Sequence, residues 1–178
     1  GTATDHPMSP APVLPAARPS VFIVDDTPTN IQVLISLLED ECELRFSTSG
    51  PDALEMLHQG PLPDLLLLDV MMPGMDGYEV FEALKANPAT RSLPVLFVTA
   101  KTDPASESRA FAAGAVDFIH KPFNHDVVRA RVRLQLQLQA AHRELQRHRD
   151  HLEELVEART RELAAARDAA ESANRAKS

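Results

Sequence analysis

Four short apolar stretches, VFIV, LLLL, VLFV and VDFIH, each end on residues that carry chemistry: Asp25 with Asp26, Asp69, Thr99 and Lys121. Near-continuous apolar runs of this length are what strands buried on both faces of a parallel sheet look like. Strands are expected near 20–25, 42–47, 64–69, 94–99 and 116–120, with helices between them near 28–39, 51–59, 76–86 and 104–112. Strict alternation of strand and helix implies a doubly wound α/β fold. In such a sheet the residues just past the carboxyl ends of the strands line one crevice. Three carboxylates, one hydroxyl and one ammonium therefore converge from distant parts of the chain.

That set has a definite chemistry. Clustered carboxylates repel one another and raise a pKa unless a cation lies among them. Mg2+ suits the position, because it prefers oxygen ligands and bridges one or two carboxylates to a phosphate group; Mn2+ could substitute. Thr99 and Lys121 offer a hydroxyl and a positive charge to phosphoryl oxygens. Asp69 is the candidate nucleophile, forming an aspartyl phosphate. Gly74 and Gly77 lie in the loop after Asp69, where a tight turn brings backbone close to a bound phosphate.

The segments VFIVDDTPTN, LLLLDVMMPGMDG, the VTA ending at Ala100 and GAVDFIHKPF resemble, in order and spacing, the receiver domain of bacterial two-component response regulators. The resemblance spans roughly Ser20 to Leu138. It implies a flavodoxin-like, five-stranded parallel sheet of order 2-1-3-4-5 with helices on both faces. It further implies that Asp26 is a direct Mg2+ ligand, that Asp25 acts through water, and that Met71 supplies a backbone carbonyl to the ion. Asp69 falls on the phosphoacceptor, Thr99 and the Ala100 backbone on the phosphoryl-binding segment, and Lys121 on the salt-bridging lysine. Phe118 stands at the aromatic switch position without a tyrosine hydroxyl, and Lys121-Pro122 is expected to be cis. A receiver catalyses only its own phosphorylation and dephosphorylation. The implied partner is a histidine kinase or a phosphotransfer protein that donates the phosphoryl group.

Charge divides the chain. Residues 18–123 hold 7 basic and 16 acidic residues, a net of −9, whereas residues 124–178 hold 11 and 9, a net of +2. An acidic α/β unit fits a metal site and argues against nucleic-acid binding. The lone Cys42 forms no internal disulfide, and no apolar run approaches the ~20 residues needed to cross a bilayer, so a cytoplasmic location with no membrane partner is expected. Residues 1–19 are proline-rich without apolar periodicity and read as a disordered leader before a receiver core at 20–123.

From Asn124 onward there is neither proline nor glycine, and the pattern is helical throughout. The last receiver helix is expected to run into a coiled coil over 124–178. Heptad a positions fall at Arg131, Leu138, Leu145 and Leu152, and d positions at Leu134, Ala141, His148 and Leu155. Continuing that count would bury Arg159 and Glu162, while the apolar positions resume at Leu163, Ala166, Ala170 and Ala173. The eleven residues from Leu152 to Leu163 are a heptad plus a four-residue stutter. A helix reaching roughly 65 Å beyond Leu134 is too long to fold back on a small domain, so a parallel homodimer is expected. The tail HLEELVEARTRELAAARDAAESANRAKS resembles the linker before the phosphoacceptor-histidine domain of sensor histidine kinases, so a histidine kinase is the expected output. A similar stretch follows receivers attached to cyclic-di-GMP enzymes, the alternative, but the ending AESANRAKS favours the kinase.

Other readings make different demands. A flavin-binding flavodoxin would be coloured, and here acids stand where a flavin phosphate would sit. A haloacid-dehalogenase phosphatase places its nucleophile on the first strand, two residues before a second acid, whereas Asp25 and Asp26 are adjacent. A phosphorylation-independent dimerisation module would keep the coil and ignore Asp69.

Overall fold

A computed structural model of the chain describes residues 17–100 and 104–176. Most of the leader, residues 1–16, lies outside the described residues. Five parallel strands, β1 (Ser20–Val24), β2 (Glu43–Ser47), β3 (Leu65–Asp69), β4 (Val95–Thr99) and β5 (Asp117–His120), alternate with α1 (Pro28–Leu38), α2 (Gly50–Gln59), α3 (Gly77–Ala86), α4 (Pro104–Ala113) and α5 (His125–Ala176). The sheet order is β2-β1-β3-β4-β5, as the flavodoxin-like fold requires. Every strand lies within one residue of the bounds expected from the sequence, because runs such as LLLL can be buried on both sides only inside a covered sheet.

The two faces of the sheet form two cores. Phe22, Val24, Leu66, Leu68, Val95, Phe97 and Phe118 point to one side and meet Ala53 and Leu57 of α2, Val80, Phe81 and Leu84 of α3 and Ala110 of α4. Val21, Ile23, Leu65, Leu67, Leu96, Val98 and Ile119 point to the other, against Ile31, Leu34 and Leu37 of α1 and Val128 and Val132 of α5. The alternation follows from the two-residue period of a strand. Local signals set the helix starts. Proline occupies the first turn of α1 and of α2, and the Ser49 hydroxyl accepts the Asp52 N–H. Asp76 opens α3 in a reciprocal capping box with Glu79.

α5 runs for 52 residues. Its first turns complete the second core through Val128, Val132 and Gln135, and beyond the pairing of Arg143 with Asp64 the helix projects from the sheet unit. Arg131, placed at a heptad a position by the sequence, instead turns its guanidinium onto β5: Nη1 donates to the Phe118 carbonyl and lies 3.7 Å from Asp117 Oδ1. The expected seam residues Leu134, Leu138, Leu145, Leu152, Leu155 and Leu163 are each about half or more exposed in the single chain. Ala141, His148, Ala166 and Ala170 are exposed with them. Val156, exposed at 64%, adds an apolar side chain that the heptad count passed over.

Candidate phosphoryl and metal site

Strand register brings the candidate residues together. Val24 pairs with Leu68, so Asp25 and Asp69 reach the same level at the ends of neighbouring strands. Asp69 pairs with Val98, leaving Thr99 one residue further out, and Thr99 in turn aligns with His120, immediately before Lys121. The Lys121 N–H donates to the Thr99 carbonyl at 2.8 Å, which ties the lysine to the top of β4. The Lys121-Pro122 peptide is cis.

Asp25 and Asp69 are buried, Asp26 is half-buried, and one carboxylate oxygen from each can be chosen so that all three lie within 4.8 Å of one another. Lys121 Nζ stands 3.3 Å from Asp25 Oδ2 and 3.3 Å from Asp69 Oδ1. Backbone donors add to these contacts: Thr27 N–H reaches Asp25 Oδ1 at 2.9 Å, and Met71 N–H reaches Asp69 Oδ1, the oxygen that Lys121 also faces, at 3.3 Å. Among the described residues, buried Asp69 Oδ2 has no hydrogen-bond partner, and buried Asp25 Oδ2 has only the Lys121 ammonium beside it. A buried, unbonded carboxylate oxygen is costly, so its presence on Asp69, beside a second buried acid, points to a ligand the pair is built to receive. One ammonium cannot neutralise three carboxylates. An all-oxygen donor set with residual negative charge fits a hard divalent cation.

Burial and the charge of Asp25 raise the Asp69 carboxyl to about 7, against the opposing pull of Lys121 and the Met71 N–H. The same acid is thus desolvated, crowded by a like charge and left with a free oxygen, a state that an electrophile or a cation relieves.

The loop after Asp69 makes this geometry possible. α3 begins so close to the strand end that a Cβ on Gly77 would lie 2.3 Å from the Asp69 carbonyl oxygen and 2.9 Å from Val70 Cα. Gly77 N–H donates to the Val70 carbonyl at 2.9 Å, and Gly74 turns the loop at φ +81°. Met71 is exposed beside the acids. Thr99 is buried at the end of β4, with Ala100 exposed just beyond it. Phe118 points into the core, its ring stacked on Phe97 at 5.5 Å and met edge-on by Phe111 at 4.9 Å. His120 and His125 are both exposed, and His120 Nε2 lies 3.8 Å from Glu107 Oε1 on α4. The sequence reading missed the grip of Arg131 on β5; Asp117, four residues before Lys121, was its only local signal.

A 2-1-3-4-5 parallel sheet with paired acids after β1, an acid ending β3 and a lysine after β5 defines the receiver class of two-component signalling. The family model of the response regulator receiver domain matches residues 21–133, and the chain belongs to that family. A Vibrio cholerae protein named as a probable cyclic di-GMP phosphodiesterase is 40% identical over 150 residues, covering 84% of this chain and 34% of the relative. Response regulator PleD of Caulobacter vibrioides is 41% identical over 114 residues, covering 64% of this chain and 25% of its own length. Among solved structures, the signal receiver domain of a signal transduction histidine kinase from Syntrophus aciditrophicus superposes with a TM-score of 0.60 at 35% identity, covering 67% of this chain and 90% of that one. The chain thus spans about a third or less of the two curated relatives.

Proposed function

We propose that Asp69 is the phosphoacceptor of this receiver and that α5 carries the phosphorylation state to an output through a parallel coiled-coil dimer. The observation that carries the first half is the unbonded, buried Asp69 Oδ2 beside a lysine and two further acids. That oxygen attacks phosphorus as the P–N bond of a donor phosphohistidine breaks, and the imidazole leaves with the electron pair. Lys121, already 3.3 Å from Asp69, balances the charge gained by the acid, and the Thr99 hydroxyl and Ala100 N–H receive phosphoryl oxygens. Asp26, Asp69 and the Met71 carbonyl would hold Mg2+, with Asp25 acting through water; the ion supplies charge neutralisation between the acids and the phosphoryl oxygens.

Phe118 lies on β5, whose backbone is held by Arg131 of α5, so movement of Thr99 and Phe118 has a direct mechanical path to the helix. Beyond the receiver core of 20–123, the exposed leucines of α5 support pairing with a second copy. The Vibrio relative bears on the output. An alignment covering 150 of 178 residues runs to residue 150 or beyond, at least 17 residues past the family match, so that relative shares part of the helical extension. This favours a cyclic-di-GMP enzyme as the output. The wording of the last turns supports a histidine kinase as the second reading. A cytoplasmic setting follows from either output.

Thermal unfolding with Mg2+, with and without beryllofluoride as a phosphoryl mimic, tests the site. The reading expects a cooperative rise in Tm in the native chain and none in Asp69→Asn. Equal shifts in both proteins would remove Asp69 from the role.

A further inference from the structure

The family match closes at residue 133, but the contact between α5 and the receiver does not. Arg133 forks onto Glu41, with Nε donating to Oε2 at 2.9 Å. Ten residues on, Arg143 pairs with Asp64 Oδ1. Asp64 is a fixed partner, because its other oxygen accepts the Ser20 N–H at 2.8 Å. Glu41 precedes β2 and Asp64 precedes β3, so both acids lie at the amino ends of the strands, on the floor of the sheet opposite Asp69.

The packing around Arg143 is open. A cleft of about 370 Å³ lies on one side, between Pro19 and the helix at Leu136 and Ala140, and another of about 180 Å³ lies on the other, between Leu93 and Gln146. Beyond Leu136, which packs against the second core, the helix is held across these gaps by the Arg143–Asp64 ion pair. Partly exposed pairs contribute only ~0.2–1 kcal/mol each, so a single substitution can open such a joint without disturbing the receiver core.

The geometry points to a docking surface on the receiver floor, formed by Asp64 and Glu41, whose occupant is this chain's own helix at residues 133–146, with Arg143 as the positioning residue that sets the direction in which the coil leaves. At 100° per residue, the docking face (Val132, Gln135, Leu136, Gln139, Arg143) and the seam (Leu134, Leu138, Ala141, Leu145) are roughly 140° apart on the helix. A helix docked on the floor therefore still presents its seam to a second copy. Docking fixes the rotational phase of the coil relative to each receiver; this last consequence rests on the dimer proposed above, whereas the docking does not.

The test is an intramolecular distance in the full chain. Spin labels are placed on Gln59→Cys and Glu153→Cys in a Cys42→Ala background, and labelled chains are diluted into excess unlabelled protein. One narrow distance distribution is expected for the native Arg143. Arg143→Glu, which faces Asp64 with a like charge, is expected to lower the docked-to-free ratio about fivefold or more and broaden the distribution. Arg143→Lys is expected to restore it. A distribution that stays narrow in Arg143→Glu, or is already broad with Arg143, would overturn the docking. Phosphorylation of Asp69 and sedimentation of the same proteins report the receiver and dimer readings separately.

Discussion

Replacing Asp69 by Asn should stabilise the metal-free protein, and by an amount that depends on pH. The carboxyl titrates near 7 in the folded chain against an ordinary value of 3.8. Between those values the folded state binds more protons than the unfolded state, so this group makes stability fall as pH rises through the window. The penalty is absent below pH 3.8 and complete above about 7. At 1.36 kcal/mol per pKa unit its ceiling is about 4 kcal/mol, of which up to about 3 kcal/mol accrues between pH 5 and pH 8. Asn keeps the shape and does not titrate. The advantage of Asp69→Asn over the native chain should therefore grow by roughly 1–3 kcal/mol from pH 5 to pH 8 in urea titrations with EDTA present. Mg2+ should then narrow the gap at pH 8 by about 2.7 kcal/mol at a hundred times its Kd, because it stabilises the protein that binds it. An advantage equal at both pH values, or unaffected by Mg2+, would refute the argument that burial and Asp25 are what raise this carboxyl.

Other outcomes follow from individual contacts. Gly77→Ala forces a Cβ into the Asp69 backbone and should cost about 1–3 kcal/mol or more in urea unfolding, with slower phosphoryl acceptance, because the clashing atoms cannot rotate away. Phe118→Ala opens a void between Phe97 and Phe111 and should cost about 3–5 kcal/mol in the same titration. Leu152→Arg with Leu155→Arg should convert the proposed dimer to monomer in sedimentation equilibrium and leave phosphoryl acceptance unchanged, since both side chains lie far along α5 from the site.

The sheet was legible in the sequence because parallel strands buried on both faces must be apolar throughout, and Leu65–Leu68 could not be placed otherwise. The site was legible for a related reason. In this topology the strand ends meet at one crevice, so Asp25, Asp69, Thr99 and Lys121 could be assembled before any distance was known. What escaped was set by contacts between remote residues. The heptad pattern put Arg131 in a seam because periodicity reports only which face a residue occupies, whereas its partners are a backbone carbonyl and Asp117 on β5. The reach of Arg133 to Glu41 and of Arg143 to Asp64, 92 and 79 residues away, has no local signature at all. The raised Asp69 carboxyl likewise depends on burial and on the approach of Asp25 and Lys121, which spacing alone does not give.

The central claim is that Asp69 takes a phosphoryl group. Intact mass after incubation with Mg2+ and acetyl phosphate measures it directly, comparing the native chain with Asp69→Asn. The account predicts one added phosphoryl group on the native chain, lost in the variant and prevented by EDTA. A folded, Mg2+-binding native chain that gains no mass, or a variant that gains as much, would contradict it and leave a dimerisation module whose state does not depend on phosphorylation.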